Sequence, residues 1–468
     1  MSQRLKQLRD IARGLSHNLR HREAAFRTAS EHEAYQNEQL KRVVQHAVAH
    51  SDFLSELYAD IDVEGDVQLH HLPVVDKRLM MDNFDRWVTD PRLKLAEIEQ
   101  QIETDPEEQY YLDEYRIVAT SGSSGLRGIF VYDRLEWGVV ISAALRWAKM
   151  FGYSPLELAY KKIASIKAEK PTHATSRLSQ SLDLGIRNLL TLDATEPLEN
   201  LVEKLNKFEP QLLMGYGSLI SLLAEEQVEG RLNIAPEMVA SFSEMFGEDR
   251  VKRARQAWGI TPFNHYGAAE QIMIAADCDS HMGLHHFADM SIVEIVDSDN
   301  QPVPPGMPGD KILLTNLHKF VQPVIRYEIS DLITKASCDC RCGRTFPLFS
   351  GISGRAEDFI SLRDKAGEVV SISPIVVCAC LIEHPDVIEY QYSLDGNSLT
   401  IRVVSRESAN QTSLKEALRR SIFNALSGQG AVDFQVEVEF VERLIRSGEI
   451  MGKLKLKIAG GNPEGKGI

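Results

Sequence analysis

No run of apolar residues in this 468-residue chain approaches the roughly eighteen that a membrane-spanning helix needs; the longest candidate, residues 138–153, is broken by Arg146 and Lys149. The N-terminus, MSQRLKQLRDIARGL, lacks the apolar core and small-residue cleavage site of a signal peptide. It instead spaces Leu5, Leu8, Ile11 and Leu15 as an amphipathic helix does. These absences lead us to expect a cytoplasmic protein. Basic residues are outnumbered, 52 to 67, for a net charge of −15, so a nucleic-acid or acidic-membrane surface would have to be local and oppose the overall field. Neither partner is expected. Cysteine is scarce, with six residues at 278, 338, 340, 342, 378 and 380. In a reducing compartment disulfides are not expected, which leaves metal binding or free thiols.

What is present points to more than one domain, since the chain is too long for a single small core. Residues 1 to about 60 are rich in Glu, Gln, Arg, Leu and Ala with almost no Gly or Pro, which predicts two or three surface helices. Arg116-Ile117-Val118-Ala119 and Ile129-Phe130-Val131-Tyr132 read as short strands flanking a loop, and an alternation of helices and strands follows to about residue 264. Strands are expected at 291–296, 311–315 and 324–334. After residue 355 we expect a strand at 369–370, a helix over 374–383, strands at 388–394 and 399–404, a helix over 414–426 and a strand over 434–440. These make a small α+β unit of about 110 residues.

The loop itself, Thr120-Ser121-Gly122-Ser123-Ser124-Gly125-Leu126-Arg127-Gly128, carries four hydroxyls and three glycines. The hydroxyls offer donors to phosphate oxygens, and the glycines let backbone N–H groups approach without a Cβ in the way. No Gly-Lys-Ser/Thr follows and the next element is a strand, so this is not a Walker loop. A Gly/Ser loop seen alone also suits a plain surface turn.

The loop resembles the phosphate-binding signature of the adenylate-forming superfamily of acyl-CoA synthetases, peptide-synthetase adenylation domains and luciferases. It is most similar to the branch of phenylacetate-CoA ligases and capsular-polysaccharide ligases. Further segments match that branch in order: Leu72 to Lys77, Gly215 to Leu219, Tyr266-Gly267-Ala268-Ala269-Glu270, Arg326-Tyr327-Glu328-Ile329-Ser330-Asp331, Gly354-Arg355-Ala356-Glu357-Asp358 and Gly452-Lys453. Two positions depart from it. Arg127 stands where many relatives have lysine, which keeps the charge but changes its geometry, and Glu357 stands where the hinge is usually Asp or Lys.

The resemblance implies an α/β fold: a large N-terminal domain, residues 1–353, binding ATP and acid, and a small mobile α+β domain, residues 354–468. It assigns ATP to Thr120, Ser121, Gly122, Ser123, Ser124, Gly125, Arg127, Tyr266, Gly267, Glu270, Asp331 and Arg355. Glu270 would hold magnesium, Tyr266 would lie against adenine and Asp331 would accept the ribose hydroxyls. Lys453 would be the catalytic lysine, an ammonium placed where charge develops between carboxylate and α-phosphate; Lys455 and Lys457 stand two and four residues away. Tyr216, Gly217, Ser243, Ala268 and Ala269 would line the acid pocket, and Glu357 would be the hinge. Cys278, His285, Cys340 and Cys342 look like a structural zinc site, with Cys338 and His281 as substitutes and free buried thiols as the competing reading. Cys378 and Cys380, in an apolar helix, read as core.

The implied reaction forms an acyl-adenylate from an aromatic or cyclic carboxylic acid and magnesium ATP, then transfers the acyl group to coenzyme A. An amide ligase of the coronafacate-ligase kind, with an amine as acceptor, is the alternative within the same chemistry. A zinc-stabilised binding protein without catalysis is the alternative outside it. The oligomeric state is left open.

Overall fold

Near-continuous apolar strands such as Leu212–Gly215 (LLMG) and Met238–Ser241 (MVAS) belong in a sheet covered on both faces. The computed structural model, which describes residues 3–120, 127–167, 171–183, 188–244, 246–355, 358–372, 374–384, 386–444 and 457–458, puts them in the middle of a nine-stranded sheet. Its order is Asp331–Lys335, Leu348–Arg355, Leu284–His286, Ala275–Ala276, Phe263–Tyr266, Met238–Ser241, Leu212–Gly215, Lys162–Lys167, Asn188–Asp193. From Phe263–Tyr266 to Asn188–Asp193 the pairing is parallel, and on the other side of Phe263–Tyr266 it is antiparallel. The parallel strands are connected through helices, as such strands require. One of these helices, Glu248–Trp258, stops where Gly259 takes the left-handed conformation at φ 72°.

Two hydrophobic cores serve this large unit. The smaller lies around Leu213, Ile220, Leu223 and Val239. The larger runs from the N-terminal helices through the hairpin of strands Arg116–Ala119 and Ile129–Tyr132 to Phe349. Helix Ala29–His50 is therefore no mere surface element, since its Leu40, Val43, Val44 and Ala47 enter that core. Helix Arg134–Met150 follows the hairpin directly, started by a capping box in which Asp133 and Glu136 satisfy each other's backbone N–H groups.

The region expected as one strand over 324–334 is broken. Tyr327–Ile329 joins a three-stranded sheet with Ser291–Val296 and Lys311–Asn316, whereas Asp331–Lys335 joins the large sheet. Only Ser330 separates them. The last strand of the large sheet, Leu348–Arg355, also runs two residues beyond position 353.

Residues 360–438 have a core of their own. Strands Gln435–Phe440, Ser398–Ser405, Val387–Asp395 and Lys457–Ile458 form a four-stranded sheet, and helix Gln411–Gly428 packs Leu414, Leu418, Ile422 and Leu426 against it. Helix Pro374–Ile382 carries Cys378 and Cys380, both buried. This unit touches the large one through charge: Arg253 donates to the carbonyls of Val387 (2.5 Å) and Ile388 (2.6 Å), and Arg406 pairs with Glu225 at 2.8 Å.

Several histidines are packed inside. His17 stacks on His21 with ring centroids 4.4 Å apart, His318 meets His17 edge-on at 5.3 Å, and His265 lies 4.8 Å from Trp147. Burial is the main force holding His17 down to a pKa of about 3 and His265 down to about 4. Both values lie below the ordinary 6.5, so the unfolded chain takes up protons that the folded one refuses. Their contribution is complete above pH 6.5 and is lost as the pH falls from there toward 3. The urea midpoint at pH 5.5 is expected to lie below that at pH 7.5, with each such histidine contributing on the order of 1 kcal/mol. His17→Asn should flatten the difference, and an unchanged pH dependence in that variant would refute the assignment.

Candidate active site at the mouth of the sheet

The hairpin closes beneath the Gly/Ser loop. Ala119 pairs with Ile129, and beyond them the Thr120 N–H donates to the Gly128 carbonyl at 2.9 Å while the Gly128 N–H donates to Thr120 Oγ1 at 2.7 Å. A side chain at 128 would meet the Phe130 ring at 2.9 Å, which explains the glycine. Arg127 is half-buried at the loop's exit. Ser121, Gly122, Ser123, Ser124 and Gly125 lie outside the described residues.

Three groups that the sequence did not single out hold this hairpin. Gln322 accepts from Val131 N–H (2.8 Å) and donates to the Ile129 carbonyl (3.0 Å). The Lys319 ammonium donates to the Val131 carbonyl at 2.5 Å and stands 3.3 Å from the centroid of Tyr132. Lys319 is fully buried, and burial pulls its pKa down to about 8 against the opposing charge of Glu136. The Tyr132 hydroxyl then donates to the Ala269 carbonyl at 2.6 Å. A lysine and a glutamine inside the otherwise apolar text Phe320-Val321 and Pro323-Val324 were the available signal.

Ala269 belongs to the turn that follows strand Phe263–Tyr266 and carries Glu270. The turn is tight because the Ala268 N–H reaches the Gln271 carbonyl at 2.9 Å, and a Cβ at Gly267 would fall 1.9 Å from the Ile272 carbonyl oxygen. Glu270 is buried, and burial pushes its carboxyl above the usual glutamate range. The positive charge of Lys77 and the hydroxyl of Tyr327 act in the other direction, and the negative charge of Asp331 reinforces burial. Lys77 is brought there by the segment around Val75, whose N–H donates to the Arg326 carbonyl (3.2 Å) and whose carbonyl accepts from Glu328 N–H (2.8 Å).

Asp331 and Arg355 face each other on adjacent strands, and Tyr266 reaches them from a strand three places further along the same sheet. The Tyr266 hydroxyl donates to Asp331 Oδ2 at 2.6 Å, and Arg355 Nε donates to Asp331 Oδ1 at 3.1 Å. The Arg355 side chain is 58% exposed, whereas that of Asp331 is 11% exposed, so the guanidinium is the solvent-facing end of the group. Each carboxylate oxygen keeps a second lone pair for a further donor.

Segments 216–217, 242–243 and 267–269 follow the carboxyl ends of three adjacent parallel strands, the edge where open α/β sheets bind ligands. Gly217, Ser243, Ala268 and Ala269 all lie there. Tyr216 does too, but it is fully buried against Phe242, with 5.7 Å between ring centroids, so it backs this edge rather than exposing a surface to it. Ser243 is exposed with φ 63°.

Cys278, His285, Cys340 and Cys342 converge, with one ligand atom from each lying within 4.8 Å of the others. Cys278 Sγ is 3.6 Å from Cys340 Sγ, and Cys342 Sγ is 3.3 Å from His285 Nε2. A tetrahedral zinc ion bound at normal lengths sets sulfurs about 3.7 Å apart and sulfur and nitrogen about 3.5 Å apart, so the donor set fits one. Burial keeps His285 neutral, at about 4, as a ligand must be. The two substitutes do not join: Cys338 is exposed, and His281 is taken by Asp277 at 2.6 Å. Lys453, Glu357 and the rival Lys455 lie outside the described residues, whereas Lys457 sits in the short strand Lys457–Ile458 and donates to the Phe359 carbonyl at 2.5 Å.

Gly267→Ala is expected to destabilise the fold by on the order of 3 kcal/mol or more, because backbone must move to admit the methyl group. Gly351→Ala, where an added Cβ meets nothing within 4 Å, serves as the control. Equal urea midpoints for the two variants would refute the tight turn.

No family model matches the chain. It is 27% identical over 251 residues to a phenylacetate-coenzyme A ligase of Thermus thermophilus, a stretch covering 52% of this chain and 53% of that enzyme. The chain thus spans about half the length of the phenylacetate-coenzyme A ligases it matches. Protein CapK of Staphylococcus aureus is 20% identical over 397 residues, covering 82% of this chain and 81% of CapK. In fold the chain resembles a 2-hydroxyisobutyryl-CoA ligase in its postadenylation state, with a TM-score of 0.73, 20% identity and coverage of 93% of this chain and 90% of that one. Against the same ligase in its thioesterification state the TM-score is 0.56. The chain thus has the fold of an adenylate-forming ligase, and its sequence is similar to those of phenylacetate-coenzyme A ligases and of CapK.

Proposed function

We propose that this protein is an AMP-forming carboxylic acid ligase that makes an acyl-adenylate and passes the acyl group to coenzyme A. The observation that carries the reading is the convergence of Tyr266, Asp331 and Arg355 beside the turn of Glu270, with the hairpin of the Gly/Ser loop fastened to that turn. In this reading Thr120, Ser121, Gly122, Ser123, Ser124, Gly125 and Arg127 surround the β- and γ-phosphates. Tyr266 and Gly267 flank the adenine, Asp331 takes the ribose hydroxyls, and Arg355 reaches the ribose or phosphate. Glu270 would hold magnesium: a buried carboxylate with a raised pKa is a group that a cation would stabilise. The ion would neutralise phosphate charge.

The acid's carboxylate oxygen attacks the α-phosphorus, and the bond from that phosphorus to the bridging oxygen breaks as pyrophosphate leaves. Lys453 stabilises the charge that builds between carboxylate and phosphate. The thiolate of the acceptor then attacks the acyl carbon, whose bond to the bridging anhydride oxygen breaks, and AMP departs with that oxygen. Between the two steps the unit beyond Arg355 turns about Glu357, with the large unit ending at the junction near residue 353 and the small mobile one following. The acid is aromatic or cyclic and rests against Gly217, Ser243, Ala268 and Ala269, with Tyr216 behind them. Likeness to phenylacetate-coenzyme A ligases supports both acid class and acceptor. Zinc at Cys278, His285, Cys340 and Cys342 would tie the strands after Glu270 to the segment before Leu348–Arg355, with all four positions filled and no place for a reacting water.

With ATP, a panel of aromatic and cyclic acids, and either coenzyme A or a set of amines, mass spectrometry is expected to find thioester together with AMP. Amide without thioester would move the acceptor to an amine, and no acyl product from any acid would overturn the ligase reading. Lys453→Ala should slow product formation by roughly 100-fold or more. Metal analysis should return about one zinc per chain, reduced by Cys340→Ser; less than about half an equivalent with no change in that variant would remove the site.

A further inference from the structure

Helix Gln3–Arg20 lies on the body with its polar side inward. Its buried residues are Lys6, Gln7, Asp10 and Gly14. Lys6 pairs with Asp113, and Gln7 donates to the Gln180 carbonyl at 3.2 Å. The fully buried Asp10 carboxylate meets Arg134 at 2.8 Å and the Tyr110 hydroxyl at 2.8 Å. A Cβ at Gly14 would come 2.5 Å from Ile141, so the helix sits as close as glycine allows. These ties decide which side is left outward.

That side carries Leu5, Leu8, Ala12, Leu15 and Leu19, every one of them exposed, at intervals of three, four, three and four. Leu8 is 48% exposed and Leu19 66%. An ordinary surface helix turns its apolar stripe to the core; a strict three-four stripe is the narrower seam by which two helices pack together. It extends about 21 Å along the axis at 1.5 Å per residue.

The surroundings carry both signs of charge. Arg4, Arg9 and Arg20 flank the seam on the helix, while the loop fastened beside it by Lys6–Asp113 exposes Asp105, Glu107 and Glu108. An apolar line with a basic margin next to an acidic loop is self-complementary under a two-fold rotation. An acidic membrane would be repelled by that loop and by the net charge of −15. Parallel pairing would set Arg4 against Arg9 of the second copy, the positions that face each other across a parallel seam, whereas antiparallel pairing keeps them apart.

We propose that this seam is the contact by which two copies of the chain form an antiparallel dimer. Sedimentation velocity on the full chain, from low to high micromolar concentration, is expected to show a monomer–dimer equilibrium. The double variant Leu8→Glu, Leu15→Glu should raise the dissociation constant at least about 30-fold, with its thermal midpoint close to that of the parent at concentrations where both are monomeric, because both positions are exposed. If that variant misfolds, Leu8→Ser with Leu15→Ser makes the same test. A chain that stays monomeric at every concentration, or a dimer whose dissociation constant ignores these substitutions, would overturn the proposal. So would binding to phosphatidylcholine–phosphatidylglycerol vesicles by a monomer, if the same substitutions abolish it.

Discussion

A single hydrogen bond, from the Tyr132 hydroxyl to the Ala269 carbonyl at 2.6 Å, joins two parts of the chain that are 137 positions apart. On one side stands the hairpin that presents the Gly/Ser loop, and on the other the turn that presents Glu270. Tyr132 is fully buried, so its hydroxyl must be paired or incur the cost of a buried unsatisfied donor, on the order of 1–3 kcal/mol. The bond therefore fixes the spacing between two segments that the sheet alone leaves free, because the hairpin is not part of the nine-stranded sheet. Lys319 and Gln322, buried beneath the same strand, hold its backbone from the other direction.

The neighbourhood of that bond concentrates buried charge. Glu136 accepts from the N–H groups of Phe320 and Val321, Lys319 stands near it, and the charge of Glu270 acts on both Lys319 and Tyr132. A pair such as Glu136 and Lys319 adds little net stability compared with apolar side chains of similar size, but removing either partner leaves an uncompensated charge. What such an arrangement provides is a backbone that is already ordered before a ligand arrives. Asp331, whose two oxygens already accept from Tyr266 and Arg355, has the same character.

Much of this was legible in the sequence because it depends on local pattern. The strands 116–119 and 129–132 and the helix beginning near 374 could be read from spacing and residue type, whereas the four metal-site side chains came from the family resemblance, since two cysteines one residue apart are a weak local signal. Other features depend on distant partners and leave no local signal. Lys319 and Gln322 gain their meaning from strand Ile129–Tyr132, and nothing near them in the sequence says so. The text over 324–334 is uniformly strand-like, yet it divides between two sheets at Ser330 because its two halves have different pairing partners. The leucines of the first helix show the correct period, but which side faces inward is decided by Asp10, Tyr110 and Arg134. Ser121, Lys453 and Glu357 were named from the sequence alone.

In the proposed reaction the group around Asp331 and Glu270 binds ATP for attack by a carboxylate. Exchange of labelled pyrophosphate into ATP tests it most directly, because exchange needs the first half-reaction and no acceptor. Exchange is expected to depend on adding a suitable acid and to fall by roughly 100-fold or more in Asp331→Ala, a variant that stays folded but loses on the order of 1–3 kcal/mol because the buried Tyr266 hydroxyl is left unpaired. Exchange at an undiminished rate in Asp331→Ala, or none in the parent protein with any acid of a broad panel, would contradict it.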